Sequence, residues 1–193
     1  MNLKNILLNL TFKDIISCNK EDVERILKIR NEDSVRKNMF TKRIISLDEH
    51  EQWFEDLKNK NDYKFYCIAY KEKIIGGLGI KNINESLKSA EWAFYITNST
   101  KAVGVGGAIE FKAIEYIFKI YKIHDLFCYV LKENIEVIKL HKKFGFEKTQ
   151  IKEEDLKFML ANEKKNVSKF LLNFKKWQDQ KKIISEMYFK NES

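Results

Sequence analysis

The sequence predicts an α/β domain with one mixed, mainly antiparallel central sheet, flanked by helices and followed by a C-terminal helical extension. Short runs that alternate apolar and polar residues predict the strands, and apolar residues at i, i+3 and i+4 predict the helices. These elements follow one another as β-α-α-β-β-β-α-β-α-β, without repeats or a linker. Residues 1–193 are therefore expected to form a single domain, with its core over about residues 11–150 and the extension over about 151–193.

The first half of the chain supplies four of the predicted strands. Ser46 and Glu49 have the spacing of a capping box, which indicates where the second helix begins. Lys71 and Glu72 separate two strand-like runs, as in a tight hairpin. The predicted elements are strands 11–17, 63–70, 73–80 and 89–97 and helices 20–30 and 46–58.

In the second half, one glycine marks the start of a predicted helix and another marks the end of the next helix. Gly104 precedes a long helix. Gly145 is expected to end the following helix, which comes after one strand. The predicted elements are helix 104–121, strand 125–131, helix 134–144, strand 146–151, a helix within 164–182 and a last strand at 183–189.

The segment 164–182 carries most of the positive charge of the chain. It holds seven Lys against one Asp, a local charge of +6 out of a net +8. Its apolar residues recur at helical spacing from Val167 to Trp177. Two interpretations follow: a helix that packs its apolar stripe on the domain, which we favour, or a basic amphipathic helix for an anionic surface or partner.

Composition excludes several other classes of protein. The chain has seven Gly and no Pro, which is unlike collagen or a Pro/Gly-rich disordered chain. No apolar run is long enough to span a membrane, and the N-terminal run lacks a small-residue cleavage site, so we expect a cytoplasmic protein. Cys18, Cys67 and Cys128 form no ligand motif with the scattered histidines, so we expect reduced thiols and no metal site.

Three glycines at a predicted strand-to-helix junction indicate an anion site. Gly104, Gly106 and Gly107 allow a ligand to approach the backbone closely. The first amides of the following helix would then face that ligand with the positive end of the helix dipole, which suits a pyrophosphate. The junction matches neither the P-loop nor the dinucleotide-binding pattern.

Two motifs resemble those of the GNAT acyltransferases. Residues 101–106 (KAVGVG) resemble the family's Q/R-x-x-G-x-G/A loop, and residues 134–146 resemble its N-x6-Y-x-x-x-G-F segment with His141 in place of Tyr. Features of the first half, such as Arg30-Asn31, Met39 and Trp53-Phe54, look like one branch of this family. That branch comprises the N-acetyltransferases of pseudaminic acid biosynthesis, which acetylate a UDP-linked amino-dideoxy sugar.

The resemblance implies a GNAT fold and acetyl-CoA as co-substrate, without a metal. It implies that strand 89–97 splays from the next strand and that acetyl-CoA lies in the gap. The pantetheine and thioester would pair with this strand, while the loop and the helix start would hold the pyrophosphate. The implied cofactor-binding residues are Phe94, Tyr95, Ile96, Lys101, Ala102, Val103, Gly104, Val105, Gly106, Gly107 and Asn134.

Two residues are candidates for acid–base chemistry. Glu91, on the polar face of strand 89–97, is either the base that deprotonates the amine or a solvent-facing carboxylate. His141 is either the acid that protonates the CoA thiolate or a residue packed on the buried face of its helix. Tyr95 and Tyr129 are alternative acids.

The resemblance implies that the first half of the chain binds the acceptor. Arg30 is the preferred phosphate contact, with Arg43 as a second candidate. The implied substrate-binding residues are Arg30, Asn31, Met39, His50 and Trp53. We therefore expect direct N-acetylation of a nucleotide-activated amino sugar, without nucleic acid or a membrane span as partners; a homodimer is possible. The alternatives are an N-terminal protein or polyamine acetyltransferase, or a non-catalytic module that binds CoA or an anionic surface.

Overall fold

The computed structural model describes residues 3–100, 104–152, 155 and 166–189. Within them seven strands form one sheet in the order β1-β2-β3-β4-β5-β7-β6. The strands are β1 Leu10–Asp14, β2 Lys64–Tyr70, β3 Lys73–Asn84, β4 Ser89–Ile96, β5 Asp125–Leu131, β6 Glu147–Thr149 and β7 Val167–Asn173. The α-helices are α1 Leu3–Asn9, α2 Lys20–Arg30, α3 Asp33–Arg36, α4 Leu47–Lys58, α5 Val105–Tyr121, α6 Ile135–Lys143 and α7 Phe174–Phe189.

The parallel pair β4–β5 opens after its first three residues. All other neighbouring strands of this sheet pair antiparallel. β4 and β5 pair only from Ser89 with Asp125 to Glu91 with Phe127. From Trp92 to Ile96, β4 therefore keeps its pairing with β3 but has no partner strand among the described residues on its other side. The predicted α/β class and the splay of this strand are confirmed.

The two faces of the sheet pack against different helices. One core cluster joins α5 and α7 to the face that carries Trp92. A second, smaller cluster joins α2 and α4 to the opposite face, where Tyr95 packs. Since successive residues of a strand point to opposite faces, β4 sends side chains into both cores.

Two glycines let β3 lie close to its neighbours. A Cβ on Gly76 would stand 2.0 Å from the carbonyl oxygen of Tyr95. A Cβ on Gly77 would stand 2.3 Å from the ring of Phe65. Both distances are far below van der Waals contact, so a side chain at either position would clash with a neighbouring strand.

Local signals place most of the helices correctly. Asn19 caps α2, and Ser46 and Glu49 form the predicted capping box of α4. Lys71 and Glu72 both have positive φ, as the tight turn between β2 and β3 requires. Gly145 follows α6 with φ 92°, the left-handed conformation typical of a helix end.

Two predictions for the C-terminal extension are wrong. The first half of the segment 164–182 forms a strand, β7, and residues 183–189 continue α7 instead of forming a strand. β7 pairs with all seven residues of β5, from Asp125 with Asn173 to Leu131 with Val167. The edge of β5 opposite β4 offers this segment a full ladder of hydrogen bonds, which outweighs the helical spacing of its apolar residues.

Helix α7 packs on the domain through its apolar stripe. Trp177 is fully buried, and its indole donates a 2.6 Å hydrogen bond to Glu115 of α5. Lys181 forms an ion pair with the same carboxylate, and Lys176 pairs with Glu147. These contacts favour the packing interpretation of the basic segment. Among the described helices, none is long and apolar enough to cross a membrane.

Candidate active site

A cavity of about 740 Å³ occupies the gap between β4 and β5. One side is formed by the start of α5 and by α6. The other is formed by α2, α3, α4 and the segment 38–45 between α3 and α4. The gap exists because the two strands diverge after Glu91. It can therefore admit an extended ligand as a substitute for the missing strand pairing.

Six residues of β4 line this cavity, and three of them are predicted cofactor contacts on the part of the strand that is not paired with β5. These three are Phe94, Tyr95 and Ile96. Backbone N–H and C=O groups that face an open gap lack strand partners, so they are available to the amide groups of a ligand. The geometry suits the predicted contact with pantetheine.

The start of α5 forms the end wall of the cavity. Gly104 precedes the helix with φ 91°, and Gly106 lines the cavity. A Cβ on Gly106 would meet, within 4 Å among the described residues, only Leu140 at 3.8 Å, which is ordinary contact. The described residues therefore leave space in front of Gly106, as an anion cradle requires. Val105 and Gly107 are buried behind this surface.

Part of the predicted pyrophosphate loop lies outside the described residues: Lys101, Ala102 and Val103. Asn134 is described, and it lines the cavity just before α6. Its side chain does not cap that helix. The Asn134 amide is thus positioned to contact a ligand in the cavity.

Glu91 lies on the cavity wall at the point where the strands part. Its carboxylate accepts a 2.7 Å hydrogen bond from Asn82. Burial raises the pKa of Glu91 above its usual range, while Lys81, Asn82 and Lys169 partly oppose this rise. A carboxylate with a raised pKa is a better proton acceptor for an ammonium group.

His141 also lines the cavity, but it reaches the cavity from the buried core. Its ring lies 5.5 Å from Trp92 and 5.1 Å from Phe146, measured between centroids. Nδ1 is 2.8 Å from Oε1 of Glu110. Both earlier interpretations therefore describe part of its position, since the ring packs in the core and borders the cavity.

Glu91 and His141 approach the gap from opposite faces of the sheet. Glu91 shares its face of β4 with Tyr95, whereas His141 contacts Trp92 on the other face. A reacting group in the gap would have a proton acceptor on one side and a proton donor on the other. This arrangement suits the transfer of an acyl group to an amine.

One hydrogen-bond donor of Arg30 has no partner in the described part of the chain. Nη2 donates a 2.8 Å hydrogen bond to the carbonyl of Thr41. Nη1 is buried and has no hydrogen-bond partner among the described residues. Arg30 lines the cavity on the side of α2. An unpaired buried guanidinium nitrogen costs free energy unless a ligand satisfies it, and phosphate is a geometric match.

Three other predicted acceptor contacts lie on the same side. Met39, His50 and Trp53 line the cavity. The His50 and Trp53 rings stack with centroids 5.0 Å apart, and His50 Nε2 is 3.1 Å from the carbonyl of Val23. Burial lowers the pKa of His50, so this ring contributes a flat neutral surface.

Asn31 does not line the cavity. Its amide donates to the carbonyl of Ile45 at 2.8 Å and accepts from the Ile45 N–H at 2.9 Å. Asn31 therefore positions the segment 38–45, which forms one wall. Arg43 is exposed and forms a bidentate ion pair with Glu49, which lowers the pKa of that carboxyl to about 2.

The alternative acids are less suitably placed. The Tyr129 hydroxyl donates a 2.6 Å hydrogen bond to Asp155. Burial raises the pKa of Tyr95, with further increase from Tyr63. A phenol with a raised pKa is a weaker acid, so neither tyrosine matches His141 as a proton donor.

Sequence reasoning missed several residues of the cavity and its surroundings. Glu110 interrupts the apolar stripe of α5, which was the available signal, because a lone carboxylate among Ala113, Ile114 and Ile117 requires a buried partner. Lys81 pairs across the sheet with Glu91, which only the register of β3 and β4 reveals. Among the described residues, no group of three or more His, Cys, Asp and Glu is arranged to hold a metal ion.

The sequence profile of the acetyltransferase (GNAT) domain matches residues 15–159. The chain belongs to the GNAT family and is an acyltransferase. Acetyltransferase PseH of Campylobacter jejuni (strain 81-176) is 31% identical over 134 residues, which cover 69% of this chain and 82% of PseH. The spermidine N(1)-acetyltransferase of Vibrio cholerae is 24% identical over 126 residues, covering 65% of this chain and 73% of that enzyme.

Solved structures of both relatives share the fold. The crystal structure of C. jejuni N-acetyltransferase PseH has a TM-score of 0.64 at 22% identity and covers 86% of this chain and 99% of PseH. PseH was also solved in complex with acetyl coenzyme A. The V. cholerae spermidine N-acetyltransferase in complex with CoA and spermine has a TM-score of 0.75 at 20% identity, covering 89% of this chain and 99% of that one.

Proposed function

We propose that this enzyme transfers an acetyl group from acetyl-CoA to the amino group of a nucleotide-activated amino-deoxy sugar. The observation that carries this proposal is the Arg30 guanidinium, whose Nη1 is buried on the cavity wall without a partner among the described residues. A nucleotide diphosphate would satisfy that donor, and Trp53 and Met39 offer apolar surface to the base or the sugar. The similarity to PseH supports the same class of acceptor.

The proposed reaction is a direct transfer in the gap between β4 and β5. Glu91 takes a proton from the substrate ammonium group, directly or through water, and the free amine attacks the thioester carbonyl. The tetrahedral intermediate expels the CoA thiolate, which His141 protonates. The substrate nitrogen loses two protons in total, one to Glu91 before the attack and one from the tetrahedral intermediate to water, while the thiolate gains one from His141. Glu91 then releases its proton to water and His141 takes one up, which restores both residues for the next turnover.

A polyamine is the second candidate acceptor, because spermidine acetyltransferase of V. cholerae is also similar to this chain. The charges on the acceptor side oppose it. Arg30, Arg43 and Lys81 line this side together with two carboxylates, Glu49 and Glu91, and Glu49 is already paired with Arg43. A polycation would meet more positive than negative charge there.

The class of acceptor is tested by release of CoA thiol from acetyl-CoA with a panel of amines. The panel contains UDP- and dTDP-linked amino sugars, spermidine and peptides with free N-termini. We expect the largest kcat/KM for a nucleotide amino sugar. Preference for spermidine or a peptide would overturn the proposed acceptor, and CoA binding without turnover of any amine would favour a non-catalytic module.

Replacing Arg30 by Ala is expected to raise the acceptor KM by roughly tenfold to a hundredfold, the usual loss for a charge-assisted hydrogen bond. The KM for acetyl-CoA should stay within about threefold, since Arg30 lies on the acceptor side. Steady-state kinetics measure both. Lys28→Ala is the matched control, because Lys28 is an exposed cation on the same helix. Equal effects of the two substitutions on the acceptor KM would refute the phosphate contact.

Replacing His141 by Ala is expected to lower kcat by at least about tenfold while the Kd for acetyl-CoA stays within about threefold, as removal of a proton donor predicts. Kinetics and calorimetric titration with acetyl-CoA separate the two effects. The exposed His124 provides the control substitution. An unchanged kcat would show that His141 only packs in the core.

A further inference from the structure

A carboxylate lies in the apolar core next to the cavity. Glu110 is fully buried on α5, where its neighbours at helical spacing are Ala113, Ile114 and Ile117. Its Oε1 is 2.8 Å from Nδ1 of His141. Its Oε2 is buried without a hydrogen-bond partner among the described residues. Such a carboxylate is costly, so the interaction with His141 is what maintains it there.

The same hydrogen bond orients the imidazole. Glu110 holds Nδ1, which leaves Nε2 for the cavity and for the Cys128 thiol, with which the ring also interacts; Cys128 and His141 both line the cavity. The remaining neighbours of the ring are Trp92 of β4, Phe146, Phe170 of β7 and Cys128 of β5. Apart from Glu110, Cys128 is the one titratable group among these described neighbours.

Charge and burial act on the proton of His141 in opposite directions. Burial alone lowers the pKa of His141, but Glu110, with a further contribution from Cys128, raises that pKa well above its usual value. Burial also raises the pKa of Glu110, against the pull of His141. The carboxylate of Glu110 therefore favours the proton on the ring, against the effect of burial.

We propose that Glu110 is the positioning residue of the proton donor: its carboxylate fixes the His141 ring and keeps it protonated, so that Nε2–H faces the reacting group. In the transfer step the Nε2–H bond breaks and an S–H bond forms on the departing CoA thiolate, which leaves a neutral imidazole. The donor role rests on the proposed function, whereas the charge of His141 does not.

The charge is tested by NMR titration of the histidine ring in the full chain, with the His141 signal assigned by its loss in His141→Ala. In the unmodified chain we expect His141 to titrate well above the reference of about 6.5. In Glu110→Gln, which keeps the shape and removes the charge, we expect titration below about 6.5 because burial is then unopposed. Titration of the unmodified chain at or below this reference overturns the proposal, even if the variant does not fold.

The donor role is tested by kcat as a function of pH. Turnover needs the protonated ring, so kcat should fall as pH rises through the pKa of His141. In Glu110→Gln this alkaline limb should move to lower pH by the shift that NMR records, with the KM for acetyl-CoA within about threefold. In a His141→Ala background, Glu110→Gln should leave kcat unchanged, since the two residues act as a unit.

Three outcomes would overturn the donor role. They are an unmoved alkaline limb despite a lowered pKa of His141, additive losses in the double variant, and loss of turnover in Cys128→Ala with normal titration of His141. The last result would assign the chemistry to a thiol instead. If no amine on the panel is acetylated, the proposed function fails. The NMR titration still decides whether the Glu110 carboxylate keeps the His141 ring protonated.

Discussion

Replacing Glu91 by Gln is expected to lower kcat by roughly a hundredfold to ten-thousandfold, the range that a general base contributes. Gln keeps the size of the side chain and its hydrogen bond to Asn82 but cannot accept the proton of the amine. The Kd for acetyl-CoA should stay within about threefold, because the loss concerns proton transfer. Kinetics at saturating acetyl-CoA and acceptor measure the effect.

The pH dependence gives a second measure of the same role. Burial raises the pKa of Glu91, so the carboxylate is lost as pH falls through a value above that of an ordinary glutamate. The acidic limb of kcat/KM should lie at that raised value and should disappear in Glu91→Gln. The exposed Glu85 provides the control substitution. A kcat within about threefold of the unmodified enzyme would exclude Glu91 as the base.

Replacing Gly106 by Asp is expected to weaken acetyl-CoA binding by at least about a hundredfold, or roughly 2.7 kcal/mol. A carboxylate at this position would occupy the open space in front of the helix start and repel the pyrophosphate. The fold should tolerate the change, because an acidic residue in the first turn of a helix is favourable. Calorimetric titration with acetyl-CoA gives the affinity, and thermal unfolding checks the fold.

Gly106→Ala is the matched control for this substitution. Its Cβ would stand 3.8 Å from Leu140, which the structure accommodates. We expect the Ala variant to keep its melting temperature and to lose less affinity for acetyl-CoA than the Asp variant. Retention of affinity in Gly106→Asp would place the pyrophosphate elsewhere in the cavity.

The sequence predicts the central part of the fold because the signals there are local. Capping residues, a tight turn and alternating strands define the elements from α2 to α6 without reference to distant contacts. The C-terminal extension depends on a distant partner instead. Val167–Asn173 has apolar residues at helical spacing, and the pairing with the edge of β5 opposite β4 selects the strand instead.

The candidate site was predictable where a motif or a strand face specifies it. Glu91, Gly106 and His141 all line one cavity, although they lie on different elements. Contacts between elements were not predictable in the same way. The pairing of Glu110 with His141 depends on how α5 packs against α6, and Asn31 holds a wall segment through backbone groups that no spacing identifies.

The most direct test of the proposed acceptor compares one amino sugar with and without its nucleotide. The measurement is kcat/KM for the UDP-linked amino sugar and for the same sugar freed from UDP, in the unmodified enzyme and in Arg30→Ala. We expect kcat/KM to be roughly a hundredfold larger for the UDP-linked sugar, because binding of the non-reacting nucleotide can lower the barrier at the reacting amine. Arg30→Ala should remove most of that preference. Equal values for both sugars, or a preference that survives in Arg30→Ala, would contradict the account.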